Sequence, residues 1–154
     1  MTLKSITLFL LLATWSQAMQ QDDIRNLIAN IGANRAEVMI ITLNKNLVVD
    51  KDDVLKELFD ENFLVKGCDE KGEKSDLKEY LGVNTAGDQL VSVTFSITGP
   101  NTSEKVDRGD YAFDYEFKSN FESNASFEGN GTAVIDINES KFLSAHQSCP
   151  VAAK

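Results

Sequence analysis

A strict two-residue alternation runs through Asp110-Tyr111-Ala112-Phe113-Asp114-Tyr115-Glu116-Phe117-Lys118. In an extended chain it places the aromatic rings on one face and Asp110, Asp114 and Glu116 on the opposite face. A strand with one apolar and one charged face is typical of an antiparallel sheet that covers a core on one side only. The segment therefore predicts a strand of such a sheet.

Segments on both sides of this strand show the same period. Leu90 to Ile97 alternates apolar and small polar residues, and Ala133, Ile135 and Ile137 share one face of a later strand. Gly129-Asn130-Gly131 predicts the turn before that later strand. A last strand is expected over residues 142–149. The stretch from Phe121 to Glu128 fits either a continuation of the preceding strand past a bulge or a strand of its own.

Helical spacing dominates before Gly82. Asp22 and Asp23 predict the cap of a first helix, and Asp50 to Asp53 the cap of a second. Ser75 or Asp76 opens a third helix that ends at Gly82, and a short strand over Asn62 to Cys68 precedes it. Six apolar residues of the first helix are predicted to share one face: Ile24, Leu27, Ile28, Ile31, Val38 and Ile41.

The order helix, helix, strand, helix and then three or four antiparallel strands predicts an α+β fold. We expect a curved antiparallel sheet packed against about three N-terminal helices. The order resembles the nuclear transport factor 2-like superfamily, which has a cone-like, cystatin-like fold, and in particular its small secreted members from invertebrate animals. The similar segments are Val54-Leu55-Lys56-Glu57-Leu58-Phe59-Asp60-Glu61-Asn62-Phe63-Leu64-Val65-Lys66-Gly67-Cys68 and Gly131-Thr132-Ala133-Val134-Ile135-Asp136 running to Ser148-Cys149.

The first 18 residues have the composition of a secretory signal peptide. Lys4 gives a positive start, Ile6 to Ala13 is a short apolar run, and Ser16-Gln17-Ala18 supplies small residues for cleavage after Ala18. Residues 19–154 then form a single domain. The sequence predicts an extracellular, secreted protein.

Two further features agree with secretion. Cys68 and Cys149 are the only cysteines, and an even count in an oxidising compartment predicts a disulfide. A thiol nucleophile or metal ligand is the weaker alternative, because no Cys-x-x-Cys motif or Cys/His cluster occurs. Four sequons predict N-glycosylation, most of them occupied, at Asn101, Asn124, Asn130 and Asn138.

Composition excludes several classes of partner and cofactor. The formal charge is −9 and the basic residues are scattered, which argues against binding nucleic acid or anionic lipid. No run after the leader approaches the roughly 18 apolar residues of a membrane span, so no membrane association is expected. One histidine excludes the multi-histidine zinc and iron sites, and Asp50 to Asp53 lacks the glycine and glutamate of a calcium loop. We expect no metal and no cofactor.

The resemblance implies a pocket between sheet and helices, which some members use for isomerase, dehydratase or polyketide-cyclase chemistry. Tyr111 and Tyr115 are candidates for a catalytic tyrosine, although alternation sends the neighbouring carboxylates to the opposite face. His146 is the candidate general base, since it shares a strand face with Phe142. Apolar packing is the simpler interpretation of the two tyrosines, and a structural or solvent-facing role that of the histidine.

These observations favour a secreted, non-enzymatic domain that binds a small apolar ligand or a protein partner. An isomerase-like or dehydratase-like enzyme that uses the same pocket is the alternative. Self-association through the open sheet face is a third. One observation distinguishes the binding hypothesis from the enzyme hypothesis: whether His146 and a carboxylate line the same cavity.

Overall fold

The computed structural model describes residues 3–49, 52–67, 73–74, 77, 80, 89–104, 106–107 and 109–148. Of residues 3–20, 52, 73 and 74 it describes the backbone only. The chain divides into two units, residues 1–31 and 32–154. In the first unit the backbone is helical from Leu3 onward. The sheet and the core belong to the second unit.

Helix α1 (Leu3–Leu47) is longer than the sequence predicted. Asp22 and Asp23 lie inside it, so the predicted start at these residues is wrong. A capping residue marks the start of a helix only where the preceding residues disfavour helix formation. Here the residues before Asp22 continue the helix.

The predicted buried face of α1 is also wrong. In the second unit Val38 is 60% and Ile41 is 53% exposed, and in the first unit Ile24 and Leu27 are 57% and 59% exposed. A second apolar stripe at helical spacing is buried in their place: Ala36, Met39, Ile40, Leu43 and Leu47. Two sides of the helix are apolar, and periodicity alone does not decide which of them the sheet covers.

A second helix and a strand follow as predicted. Helix α2 spans Asp52–Leu58 and strand β1 spans Phe59–Lys66. A two-residue strand, β2, covers Glu73–Lys74. Most of the predicted third helix lies outside the described residues. Leu77 and Tyr80, which are described, are helical and buried. The described ranges thus contain two full helices where the sequence predicted about three.

Four longer strands complete a six-stranded sheet with the order β2-β1-β6-β5-β4-β3. They are β3 (Leu90–Pro100), β4 (Asp110–Phe121), β5 (Ser126–Asp136) and β6 (Lys141–Gln147). These four pair antiparallel in chain order, as predicted. The sheet as a whole is mixed, because β1 pairs parallel with β6. The prediction of a purely antiparallel sheet is therefore wrong. Strands β2 to β5 lie between β1 and β6 in the sequence, so no hairpin forces these two strands to run in opposite directions.

The turn predicted at Gly129-Asn130-Gly131 is wrong as well. All three residues lie inside β5, and the hairpin turn spans residues 122–125, which also resolves the ambiguous stretch from Phe121 to Glu128. The two glycines serve close packing. A Cβ atom on Gly129 would lie 3.0 Å from the ring of Phe117, and one on Gly131 would lie 2.0 Å from the carbonyl oxygen of His146.

The core of the second unit forms between residues 36–47 of α1 and the inner face of the sheet. Phe113 and Ile135 are fully buried, and the aromatic stripe of β4 lies on this face as predicted. Phe95 stacks on Phe117 with ring centroids 5.5 Å apart. Burying an aromatic side chain of this kind contributes roughly 2–3 kcal/mol from its apolar area.

Asn44 fixes α1 to the edge of the sheet. Its Nδ2 donates to the backbone oxygen of Phe95 at 2.9 Å, and its Oδ1 accepts from the backbone N–H of Phe95 at 2.8 Å. Strand β3 is the last strand of the sheet, so these backbone groups have no neighbouring strand to pair with. The side-chain amide takes the place of that strand at one residue.

Cys68 and Cys149 lie outside the described residues, so the disulfide stays a prediction. The strands that lead to them are adjacent, with Lys66 opposite His146 in the parallel pair. Within the described residues, no helix has an apolar stretch long enough to cross a membrane.

Replacing Gly131 with alanine should destabilise the protein by about 2 kcal/mol or more, because the new Cβ atom would collide with the backbone of β6. Gly99→Ala is the matched control in β3, since nothing lies within 4 Å of a Cβ atom at that position. Its free energy of unfolding should stay within about 0.5 kcal/mol of the wild type. Urea denaturation of both variants measures the difference, and equal stabilities would contradict the β5–β6 packing.

Candidate functional site

A small cavity lies between α1 and the inner face of the sheet. Its volume is about 30 Å³, and each of the strands β1, β3, β4, β5 and β6 contributes to its wall. Among the described residues that line it, Tyr115 alone has a polar side-chain atom. These described lining residues are Ile40, Leu43, Phe59, Phe63, Leu77, Phe95, Tyr115, Ala133, Phe142 and Ala145.

Tyr115 lines this cavity as the sequence predicted. Burial, and secondarily the phenol of Tyr80, raise the pKa of Tyr115 far above its ordinary value. The hydroxyl of Tyr80 in turn donates to Oε1 of Gln147 on β6. Tyr80 lies in the segment that the sequence assigned to a third helix, and no motif in the chain predicts its pairing with Gln147.

Tyr111 does not line the cavity. Its ring packs on Gly32 of α1, where a Cβ atom would come within 2.5 Å of the ring carbons. Burial and the nearby carboxylate of Glu37 raise the pKa of Tyr111. Tyr111 thus serves as a packing residue at the helix–sheet contact, and the structure does not bring it together with Tyr115 in one site.

His146 is exposed and does not line the cavity either. The prediction that it shares the face of Phe142 is wrong, because β6 contains an irregularity. Ser144 pairs with Val134 but Phe142 pairs with the next residue of β5, Ile135, so Leu143 is an extra residue in the strand. One extra residue inverts the alternation, which brings Ala145 to the inner face and turns His146 outward.

No carboxylate lines the cavity among the residues that the structure describes. Asp114 lies on the outer face of the sheet, as alternation predicted, where its Oδ1 accepts from Thr132 Oγ1 at 2.8 Å and from Asn101 Nδ2 at 2.7 Å. The pairing of a base with a carboxylate in the cavity, which the enzyme hypothesis requires, does not occur among the described residues.

The outer face of the sheet has a larger, open concavity of about 690 Å³. Polar and charged side chains line it, including Glu116, Lys118 and Glu128. The cores of protein interfaces are depleted in such charges, so the face is typical of a solvated surface and gives little support to self-association there.

Other predicted sites are placed as follows. The sequon asparagines Asn124 and Asn138 lie in the turns on either side of β5, Asn101 follows β3, and Asn130 lies within β5. The described part of the chain contains no cluster of His, Cys, Asp and Glu side chains that could hold a metal ion.

The raised pKa of Tyr115 predicts a loss of stability in alkali. A group that holds its proton more tightly in the folded state stabilises fully below its unfolded pKa of about 10, and this stabilisation disappears as the pH rises beyond it. Above pH 10 the free energy of unfolding should fall by up to about 1.4 kcal/mol per pH unit from this residue. Tyr115→Phe should flatten the fall, and Tyr111→Phe, at a more exposed ring, should flatten it less. Denaturant unfolding between pH 8 and 11 measures the slopes, and a Tyr115→Phe slope equal to that of the wild type would contradict the assignment.

Comparison with solved structures supports the architecture. No family model and no curated protein matches the sequence. Among solved structures, a conserved protein from Planctomyces limnophilus superposes with a TM-score of 0.52 at 11% identity, covering 74% of this chain and 92% of that one. An NTF2-like protein from Anabaena variabilis superposes with a TM-score of 0.50 at 8% identity, covering 80% and 92%. Identities this low establish the fold alone. The chain has the nuclear transport factor 2-like fold.

Proposed function

We propose that this protein is a secreted, non-enzymatic domain that binds a small apolar molecule in the cavity beside Tyr115. The observation that carries the proposal is the described part of the lining, in which nine apolar side chains surround a single phenol. Ligand sites in proteins commonly combine an apolar wall with a few polar groups that orient the ligand.

The size of the cavity restricts the ligand. A volume of about 30 Å³ is room for two or three water-sized groups, so a molecule of more than a few carbon atoms has to displace side chains. Tyr115 is protonated at neutral pH, since the ordinary pKa of a phenol is about 10 and burial raises it further, so its hydroxyl is a neutral donor. The favoured ligand is therefore uncharged, small and apolar, with one hydrogen-bond acceptor such as a ketone oxygen.

An isomerase-like or dehydratase-like function is the weaker alternative. Such chemistry needs a base within hydrogen-bond reach of the bound substrate, with a pKa near the working pH. His146 faces outward, and Tyr115, the one ionisable group among the described residues of the wall, has its pKa shifted away from neutrality. Binding without turnover is what this set of side chains supports.

Ligand binding is tested with a series of neutral ketones from acetone to cyclohexanone, measured as shifts of the Tm. We expect the smaller ketones to raise the Tm of the wild type. Ala145→Leu fills the cavity and should abolish the shift, whereas Ala125→Leu, the same change in the exposed β4–β5 turn, should retain it. Untargeted mass spectrometry should identify natural ligands as molecules that co-purify with the wild type but not with Ala145→Leu. If no ketone stabilises the wild type more than Ala145→Leu, the cavity is not a binding site.

Secretion is the second part of the proposal and rests on the composition of residues 1–18. The chain expressed from its own start in a eukaryotic secretory host should appear in the medium with Met19 at or near its N-terminus. Mass spectrometry of the intact protein measures this. Extracellular material that begins with Met1 would overturn the cleavage, and retention of the whole product inside the cell would overturn secretion.

A further inference from the structure

The side chain of Asn101 has its full hydrogen-bonding capacity engaged. Its Nδ2 donates to Asp114 Oδ1 at 2.7 Å and to Thr132 Oγ1 at 3.0 Å. Its Oδ1 accepts the backbone N–H groups of Ser103 and Glu104, each at 2.9 Å. An amide side chain has two N–H donors and two acceptor lone pairs, and here all four are used.

These bonds connect three segments of the sheet. Asp114 on β4 is the direct partner of Thr132 on β5 in the strand register, and Thr132 is buried. Asn101 reaches both from the loop that follows β3, and the backbone N–H of Asn101 donates to the carbonyl oxygen of Ala112 at 3.0 Å. The amide therefore ties the β3–β4 loop to the two central antiparallel strands.

Glycosylation of Asn101 is incompatible with this arrangement. The reaction forms a bond between Nδ2 and C1 of a saccharide carried on a lipid diphosphate; the C1–O bond to the diphosphate breaks, and Nδ2 loses one proton. The product amide retains a single N–H, so either Asp114 or Thr132 loses its donor. The saccharide would also have to occupy the space of one of these partly or fully buried groups. A chain modified here cannot close the loop in the observed way.

Asn124 carries the same sequence signal in the opposite setting. It lies in the β4–β5 turn with a φ of 67°, and its side chain and that of Ser126, the third residue of its sequon, are exposed. Asparagine adopts this left-handed conformation more readily than most residues, and the amide points to open solvent at the end of the sheet. A saccharide on this residue displaces no hydrogen bond of the core.

We infer that Asn124 is an N-glycan acceptor of the folded protein, whereas Asn101, despite its sequon, remains unmodified and acts as a structural clamp. The inference rests on the proposal that the chain enters the secretory pathway. It goes beyond the sequons themselves, which do not distinguish the two asparagines.

Site occupancy tests the inference. The full chain is expressed in a eukaryotic secretory host from its own start and, in a parallel arm, behind a leader of established efficiency. Enzymatic release of the glycans in ¹⁸O-labelled water converts each modified asparagine to a labelled aspartate, which peptide mass spectrometry locates. We expect at least about tenfold higher occupancy at Asn124 than at Asn101. Equal occupancy, or an unmodified Asn124 in the second arm, would overturn the inference. Failure of the first arm alone would overturn the proposed secretion and leave the inference standing.

Paired variants distinguish the loss of a sequon from the loss of the Asn101 hydrogen bonds. Ser126→Ala should remove the mass of one glycan, and Ser103→Ala should change neither the mass by a glycan nor the Tm, since it leaves the Asn101 amide in place. Asn101→Gln should lower the Tm by about 5 °C or more, measured after enzymatic deglycosylation, because a longer side chain cannot make the same four bonds. A glycan lost in Ser103→Ala, or an unchanged Tm in Asn101→Gln, would contradict the clamp.

Discussion

The sheet of this protein has one face that cannot remain in water. Tyr115, Phe117 and Phe113 point to the same side of β4, and the hydrophobic effect requires that a second layer cover them. Residues 36–47 of α1 provide that layer. The close packing of these residues on the sheet determines both the position of this part of α1 and the small size of the cavity. Asn44 adds a directional element, because its two bonds to Phe95 are satisfied in a single position of the helix along the strand.

Sequence periodicity predicted the strands well and the helix poorly, for one physical reason. In β4 alternation leaves one choice of buried face, since the opposite face carries Asp114 and Glu116. In α1 the residues on both sides are apolar, so Val38 and Met39 satisfy a helical pattern equally well and only the tertiary contact selects Met39. The parallel direction of β1 beside β6 was not predicted for a related reason, because pairing between segments that are distant in sequence leaves no local pattern.

The candidate site, too, was predictable from the sequence only in part. Tyr115 was predictable because its strand is regular, and it lines the cavity. His146 was misplaced because a single extra residue, Leu143, reverses the alternation of β6, and no glycine or proline marks the irregularity in the sequence. Likewise Gly129 and Gly131 have the composition of a turn, yet they lie in β5, where a Cβ atom would be crowded by the ring of Phe117 at Gly129 and would collide with the backbone of β6 at Gly131. A glycine pair reports either a turn or a close approach, and only the structure distinguishes them.

The contact between Asn44 and Phe95 has a consequence for the behaviour of the molecule in a concentrated solution. An outermost strand presents free backbone groups that can template the addition of a strand from another molecule, which is a common start of aggregation. At Phe95 both of these groups are already bonded to the Asn44 amide. An incoming strand would have to break two hydrogen bonds in the middle of β3 before it could extend the sheet. The helix that covers the core therefore also protects the sheet edge from propagation, through a single side chain.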